Sequence, residues 1–372
     1  MNVPAVSPRR ATAGTVSSLV LILASASSTA LAAESQPLLL AEAGQPQVGQ
    51  APAPAPRERP EVPSISNVGG VLTPDGALVV EPSVQFVNSQ VNRFTFLGVE
   101  ILDTFLIGVI EAENVDRNIV SPAISLRYGM SDRFELGLKV PWVYRSETRS
   151  GTIPQASTGD GAPVTLENDI SGSGLGDVEA SAHFQLNTGQ GGWPFFVGNI
   201  RYKFTTGRGP FEVSYNADGT EKELATGSGF RSVEPSVTVL YPSDPAVFYG
   251  NVGYLFNLKD NVNKDVGSGD NAFHVGDVDP GNALRLSIGM SLAINPRASV
   301  SFGYKHDIIQ QTKTEINGVP LRSSSLDVGA LTLGFTHMVG RGTYANFDLE
   351  IGATADAPDV TATVRVPFTL GG

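Results

Sequence analysis

Four histidines, His183, His274, His306 and His337, are the only imidazoles in 372 residues, and none stands at metal-ligand spacing from another. Cysteine is absent, which removes thiolate chemistry and any disulfide framework. No G-x-S-x-G elbow presents a serine nucleophile, so a hydrolase on His183 or His306 with a loop serine has no motif behind it. The run Gly172 to Asp177 (GSGLGD) resembles a phosphate loop, but it is predicted to open a strand, and the helix terminus that would hold the anion is missing. Asn261, Asn263 and Asp265 put hard oxygens at alternate positions of an acidic loop. Val266 and Ala272 occupy the places where a calcium loop needs glycine and a bidentate carboxylate. No catalytic residue, cofactor or metal is predicted, and the chain is not expected to be an enzyme.

What remains is charge at alternate positions of apolar runs. Glu135, Lys139, Arg145, Asp177, Glu179, Arg201, Lys203, Glu234, Arg285, Lys305, Asp348, Glu350 and Arg365 lie on the face away from the apolar side chains. Seven are basic and six acidic, so the wall they predict is close to neutral and is no single-signed ion filter. Their expected chemistry is pairing across strands around a hydrated interior.

The elements that position them have a period of two. Phe134, Leu136, Leu138, Val140, Trp142 and Tyr144 alternate with Glu135, Gly137, Lys139, Pro141, Val143 and Arg145, which predicts a strand with one apolar and one polar face. The pattern starts at Leu78 and recurs to Phe368. Connections alternate between short turns, such as Ser131–Arg133 and Asn295–Arg297, and longer loops at about 146–174, 205–230, 257–281 and 307–324. Short turns on one side and long loops on the other describe an antiparallel transmembrane β-barrel, with lipid outside and a polar lumen inside. Tyrosines 128, 144, 202, 241, 254 and 304, with Trp142, fall near strand ends, where interfacial aromatic girdles belong. Eleven strands run from Val120 to Phe368, and residues 77–113 supply one more or three. The barrel therefore has twelve strands, with fourteen as the alternative kept open by the apolar run Thr104–Ile110.

The N-terminus carries an export signal: Arg9 and Arg10, the apolar stretch Val16–Ala26, and a small-x-small site at Ala30–Ala32. Residues 1–32 are read as a signal peptide of the Sec type, 33–66 as a Pro-rich periplasmic linker around Ala51–Pro60, and 67–372 as the barrel, with a plug segment within 65–76. Without the signal the charge is that of 23 basic and 37 acidic residues, −14, which argues against nucleic-acid binding. The expected location is a bacterial outer membrane, with the N-terminus in the periplasm.

Several runs in order resemble a known family: Gly70–Ser83 (GVLTPDGALVVEPS), Arg127-Tyr128-Gly129 with Asp132-Arg133, Val140–Arg145 (VPWVYR) and Gly172–Glu179 (GSGLGDVE). They are similar to the outer-membrane barrels labelled the putative MetA-pathway of phenol degradation, across residues 68–372. The resemblance implies outer-membrane transport, either uptake of aromatic or hydrophobic small molecules or secretion of an unfolded polypeptide. Val99–Ile101 and Ile107–Glu113 look like the functional-amyloid secretion barrels, which are twelve-stranded, plugged and trimeric. Those barrels carry an N-terminal coiled coil, whereas residues 33–66 show no heptads, and the terminal aromatic Phe368 lies four residues before the end. The partners so implied are outer-membrane lipid, the barrel-assembly machinery, the transported solute or polypeptide, and two further copies in a homotrimer. A non-conducting structural or adhesive barrel is the alternative.

Overall fold

The computed structural model describes residues 72–370 except 91–94, 97–98, 101–113, 154–163, 190–191, 216–220, 268–271 and 341–342. The predicted signal peptide, the linker, residues 65–71 of the plug and the Thr104–Ile110 run lie outside the described residues.

Twelve antiparallel strands close on themselves. They are β1 (Leu78–Ser89), β2 (Asn114–Ser131), β3 (Phe134–Ile153), β4 (Val164–Leu175, resuming as Glu179–Gln185), β5 (Phe195–Lys203), β6 (Ser232–Ser243), β7 (Ala246–Asn257), β8 (Ala283–Asn295), β9 (Ala298–Ile309), β10 (Leu326–Met338), β11 (Tyr344–Gly352) and β12 (Val360–Arg365, resuming as Phe368–Leu370). Each pairs with its chain neighbours, and β12 returns to β1 from Ser83 opposite Arg365 to Asn88 opposite Val360. Closure leaves no unpaired edge along the barrel, the condition for placing strands in a medium without water. Twelve is therefore the number of barrel strands: β1 is the one barrel strand described before β2, and the short strands Thr95–Phe96 and Val99–Glu100 pair with each other in a separate sheet.

The two faces are inverted relative to a water-soluble sheet. Ile288 is 68% exposed and Val252 57%, whereas Thr238 on the opposite face is 0% exposed and Glu135 2%. Every second residue of the predicted apolar runs, from Val84 and Phe86 to Val364 and Phe368, points outward in this way. A belt of aliphatic and aromatic side chains around a closed sheet is stable where the surroundings are lipid. Tyr128, Tyr144 and Tyr241 are each close to half exposed on that outer face.

The short turns gather at one end of the barrel and the long connections at the other. There the chain departs from expectation: β3 runs on to Ile153 and β4 begins at Val164, so most of the predicted 146–174 loop is a two-stranded extension in register from Trp142–Leu175 to Ile153–Val164. Strands Asp260–Val266, Phe273–Asp279, Lys313–Ile316 and Val319–Arg322, from the connections after β7 and β9, form a second four-stranded sheet. Val266, Val275 and Val278 of that sheet share a buried core with Phe230, against which Phe211 and Tyr215 also pack. The 204–231 connection is thereby held to this outer sheet.

Candidate functional site

The inward side chains of the barrel are ordered in layers from the short-turn end to the long-loop end. Strand β5 shows the sequence of layers in one line: Phe195, Val197, Asn199, Arg201, Lys203. Because alternate residues face inward, each step of two residues rises about 6.5 Å.

At the short-turn end, Phe195, Leu240 and Val247 form a buried apolar cluster with Tyr249 against it. On the other side of this mouth the chain before β1 lies against the inner wall. The backbone N–H of Thr73 donates to Glu135 Oε2 at 2.6 Å, and Glu135 is almost fully enclosed. The Pro74 carbonyl occupies the space a Cβ would fill at Gly129, so only glycine admits this approach. Backbone bonds from Gly76 N to Gly129 O (2.9 Å) and from Gly129 N to Ala77 O (3.1 Å) fix it there. Leu72, Thr73 and Ala77 are buried as a result.

Above this lies a layer of hydroxyls, amides and one imidazole. His183 Nδ1 meets Asn199 Oδ1 at 2.7 Å, and its Nε2 meets Ser181 Oγ at 3.0 Å. Asn199 Nδ2 donates to Ser236 Oγ (3.3 Å) and Thr238 Oγ1 (3.1 Å), and Asn251 Nδ2 reaches the same Thr238 hydroxyl at 2.9 Å. With its amide hydrogens turned to hydroxyls, Asn199 offers its oxygen to the ring, which makes Nδ1 the donor nitrogen.

The next layer is a belt of alternating charge. Arg201 binds Glu179 (Nη1–Oε1, 2.8 Å) on β4 and also Glu234 on β6. The same Glu234 Oε2 accepts from Arg285 Nη1 on β8 at 3.2 Å, and Arg285 Nε lies 3.4 Å from Asp307 on β9. Strand β7 lies between β6 and β8 and contributes no side chain at this height, because its inward residue is Gly253. A side chain there would press on Ser236 and Glu234, so the glycine keeps the belt continuous. Lys305 pairs with Glu350, and Arg365 with Asp348, on the far side. Belt and polar layer together line a cavity of about 390 Å³, bounded by Ser181, His183, Asn199, Arg285, Ser287 and Lys305 among others.

At the long-loop end the 204–231 connection folds back into the barrel. The β4 strand breaks at 176–178, and the broken backbone is satisfied by this connection: Thr206 Oγ1 donates to Gly176 O (2.7 Å) and accepts from Val178 N (2.8 Å), and Thr226 Oγ1 donates to Leu175 O (2.9 Å). Asp177 at the break is 3% exposed and accepts from Gly207 N (3.1 Å), Ser228 N (2.8 Å) and Ser228 Oγ (2.7 Å), with Lys203 Nζ at 3.6 Å. Leu255, Ala283, Ile309 and Leu326 form a second inward apolar cluster beside it. Higher still, Glu147 is buried between Arg117 and Arg145.

Twelve of the thirteen residues predicted for the wall have a named polar partner, and Lys139 stands opposite Glu179 in the β3–β4 register. Six of them, Glu179, Arg201, Glu234, Arg285, Lys305 and Glu350, come together as the belt, whereas Glu135 and Asp177 bind backbone at the two ends. Asp307, Arg117 and Glu147 were missed, because the apolar signal fades at Tyr304 and before Val120 where the strands run on. The polar layer of Ser181, His183, Asn199, Ser236 and Asn251 was also missed. Its only signal is a hydroxyl, amide or imidazole at facing inward positions of β4 to β7, which no single strand displays.

GSGLGD does not open a strand as expected. Gly172–Leu175 lie within β4 and Gly176 begins its break, where Leu224 O fills the space beside Gly172. Asn261 Nδ2 donates to Asp277 Oδ1 (2.6 Å) and Asp265 Oδ1 meets His274 Nδ1 (2.9 Å), so these two side chains fasten a hairpin. Among the described residues, no group of three or more His, Cys, Asp or Glu is placed to hold a metal ion.

A family model described as "Putative MetA-pathway of phenol degradation" matches residues 125–369. Among solved structures, an outer membrane channel from Pseudomonas putida F1 aligns at 14% identity over 81% of this chain and 97% of its own, with a TM-score of 0.50. The P. putida toluene transporter TodX aligns at 12% identity over 81% and 91%, with a TM-score of 0.42. A Pseudomonas aeruginosa FadL homologue aligns at 10% identity over 81% and 94%, with a TM-score of 0.39.

Proposed function

The chain belongs to the family described as Putative MetA-pathway of phenol degradation, and from that premise we propose that it is an outer-membrane pore that passes small solutes through its layered interior. The observation that carries this reading is the cavity of about 390 Å³ lined by paired charges and hydroxyls inside a barrel whose outside is apolar. Polar groups of this kind are stable in a barrel interior when water reaches them. The cavity has room for a small molecule. A polypeptide in transit would have to displace both the Leu72–Ala77 segment and the inward 204–231 connection, so solute passage is favoured over secretion.

The thirteen charged residues named from the sequence are the wall of this path or the fasteners at its ends. The short turns face the periplasm and the long connections face outward, with Sec export and the barrel-assembly machinery delivering the chain. Segment Leu72–Ala77 is the plug on the periplasmic side. Trimerisation rests on the resemblance to secretion barrels alone.

Reconstitution of the full-length mature chain in planar bilayers tests the reading. Discrete conductance steps are expected. A correctly folded chain that conducts nothing, and releases no small solute from vesicles, would make it a structural barrel.

A further inference from the structure

The cavity between the two apolar clusters has a charge pattern that selects among solutes. Its lining cations are Arg201, Arg285 and Lys305, and its lining anions are Glu234 and Asp307, with Glu179 and Glu350 completing the pairs. The signs alternate from strand to strand, so no transverse field separates one side of the cavity from the other. Below them the polar groups of the lining are the hydroxyls of Ser181, Ser236 and Ser287, the amides of Asn199 and Asn251 and the imidazole of His183. The two buried apolar clusters lie outside this cavity: the Phe195 cluster lies beneath the polar layer, and the Leu255 cluster lies above the belt.

We infer that this cavity is a station for small polar solutes without net charge, zwitterions above all, and that Glu234 is the residue that sets this specificity. The inference rests on the pore reading above. A zwitterion brings a carboxylate and an ammonium a few ångströms apart, and the belt presents guanidinium and carboxylate groups on neighbouring strands at about 5 Å spacing. Arg285 lines the cavity with its guanidinium held between Glu234 and Asp307, so a solute carboxylate and a solute ammonium both meet a charge of opposite sign there. A simple anion meets Glu234 and Asp307 within reach of the same arginines, and a simple cation meets Arg201 and Lys305. Each therefore gains one attraction and suffers one repulsion. A hydrocarbon would have to strip water from charges it cannot pair.

Glu234 holds the balance because one oxygen, Oε2, serves both Arg201 and Arg285. Its neutralisation leaves two guanidinium groups with one acidic partner each, Glu179 and Asp307, and the cavity lining shifts by one full positive charge. One charge at about 4 Å in water changes the partition of an ion by about fivefold.

The test uses the full mature chain in vesicles with labelled serine, lactate and ethanolamine, solutes of similar size and different charge, and in bilayers under a potassium chloride gradient. The native chain should pass serine faster than either ion, with a reversal potential near zero. Glu234→Gln should let lactate overtake serine and shift the chloride-to-potassium permeability ratio by about fivefold towards chloride. Should that variant fail to insert, Lys305→Gln supplies the opposite arm, because it leaves Glu350 uncompensated and should let ethanolamine overtake serine. A native chain that passes lactate or ethanolamine faster than serine overturns the inference. So does a folded variant with the native order. A native chain that passes none of the three and conducts nothing instead removes the pore reading itself.

Discussion

Asp177 and Ser228 stand 51 positions apart, and a single carboxylate oxygen of Asp177 accepts both the backbone N–H of Ser228 at 2.8 Å and its hydroxyl at 2.7 Å. The pair ties the place where strand β4 breaks to the connection that folds back into the barrel. Lys203 bonds the same serine hydroxyl and lies 3.6 Å from the same carboxylate oxygen, so charge and hydrogen bonding converge on one enclosed point.

Asp177→Ala should therefore release the 204–231 connection while leaving the strands intact. Removing one member of a buried charge pair costs about 3–5 kcal/mol, because it leaves Lys203 uncompensated. The cost falls on the docked state of the connection, since the barrel ladder does not depend on that side chain. Single-channel conductance should rise, and protease should cut between residues 204 and 231 where it spares the native chain. A variant with native conductance and native protease resistance would show that the connection is held by its apolar contacts alone.

The plug fastening makes a second prediction. Gly129→Val places a side chain where the Pro74 carbonyl lies, and backbone cannot give way as a flexible side chain can. Glu135→Ala removes the acceptor of the Thr73 N–H. Either change, or deletion of residues 65–73, should raise conductance by opening the short-turn mouth. Unchanged conductance in all three would mean that the segment does not obstruct the path.

These two fasteners also mark the limit of what the sequence discloses. The outward face of each strand is legible because lipid demands an apolar residue at every second position, as from Phe134 to Tyr144. Where β3 and β4 rise beyond that belt the demand lapses, and Ser146–Ile153 reads as a loop although it is strand. The belt charges are legible strand by strand, but not their pairing, which depends on register: Arg201 meets Glu234 because Lys203 opposes Ser232. The bonds of Asp177 to Ser228 and of Glu135 to Thr73 join segments 51 and 62 residues apart, and no local pattern announces them.

Acidification should loosen the outer sheet before the barrel. Glu212 on the 204–231 connection is held below the ordinary carboxylate range, first by the Gly209 backbone N–H and then by Lys264 on the outer sheet. Asp277 is lowered by hydrogen bonds from Lys259 and Asn261. A carboxylate lowered in the folded state adds stability that is present above its ordinary value near about pH 4 and disappears as pH falls through the lowered one. Hydrogen-exchange protection in 204–231 and 260–279, taken relative to the intrinsic rate at each pH, should accordingly fall below about pH 4 while strands β5 to β9 stay protected. Lys259 is raised by Asp277, so its contribution is present through neutral pH and lost only above the ordinary lysine range, as pH rises through the raised value. Protection factors that stay flat from neutral to strongly acid conditions would exclude these contacts as fasteners.

The membrane placement has the sharpest test at Ile288. This side chain is 68% exposed on the outer face of β8, opposite Gly250 on β7 and Tyr304 on β9. If water surrounded the barrel, Ile288→Arg would be a surface change within about 0.5 kcal/mol of neutral. Near the middle of a bilayer the same substitution costs about 2–4 kcal/mol, because the guanidinium must draw water or headgroups to itself. Reversible denaturant unfolding from lipid vesicles reads that difference directly. Ser287→Arg, one residue along and facing inward, is the control, since it turns its charge towards a hydrated interior already lined with carboxylates. Loss of about 2 kcal/mol or more at 288 together with near-neutrality at 287 is the expected result. Equal, small effects at both positions would remove lipid from the outer face and with it the pore.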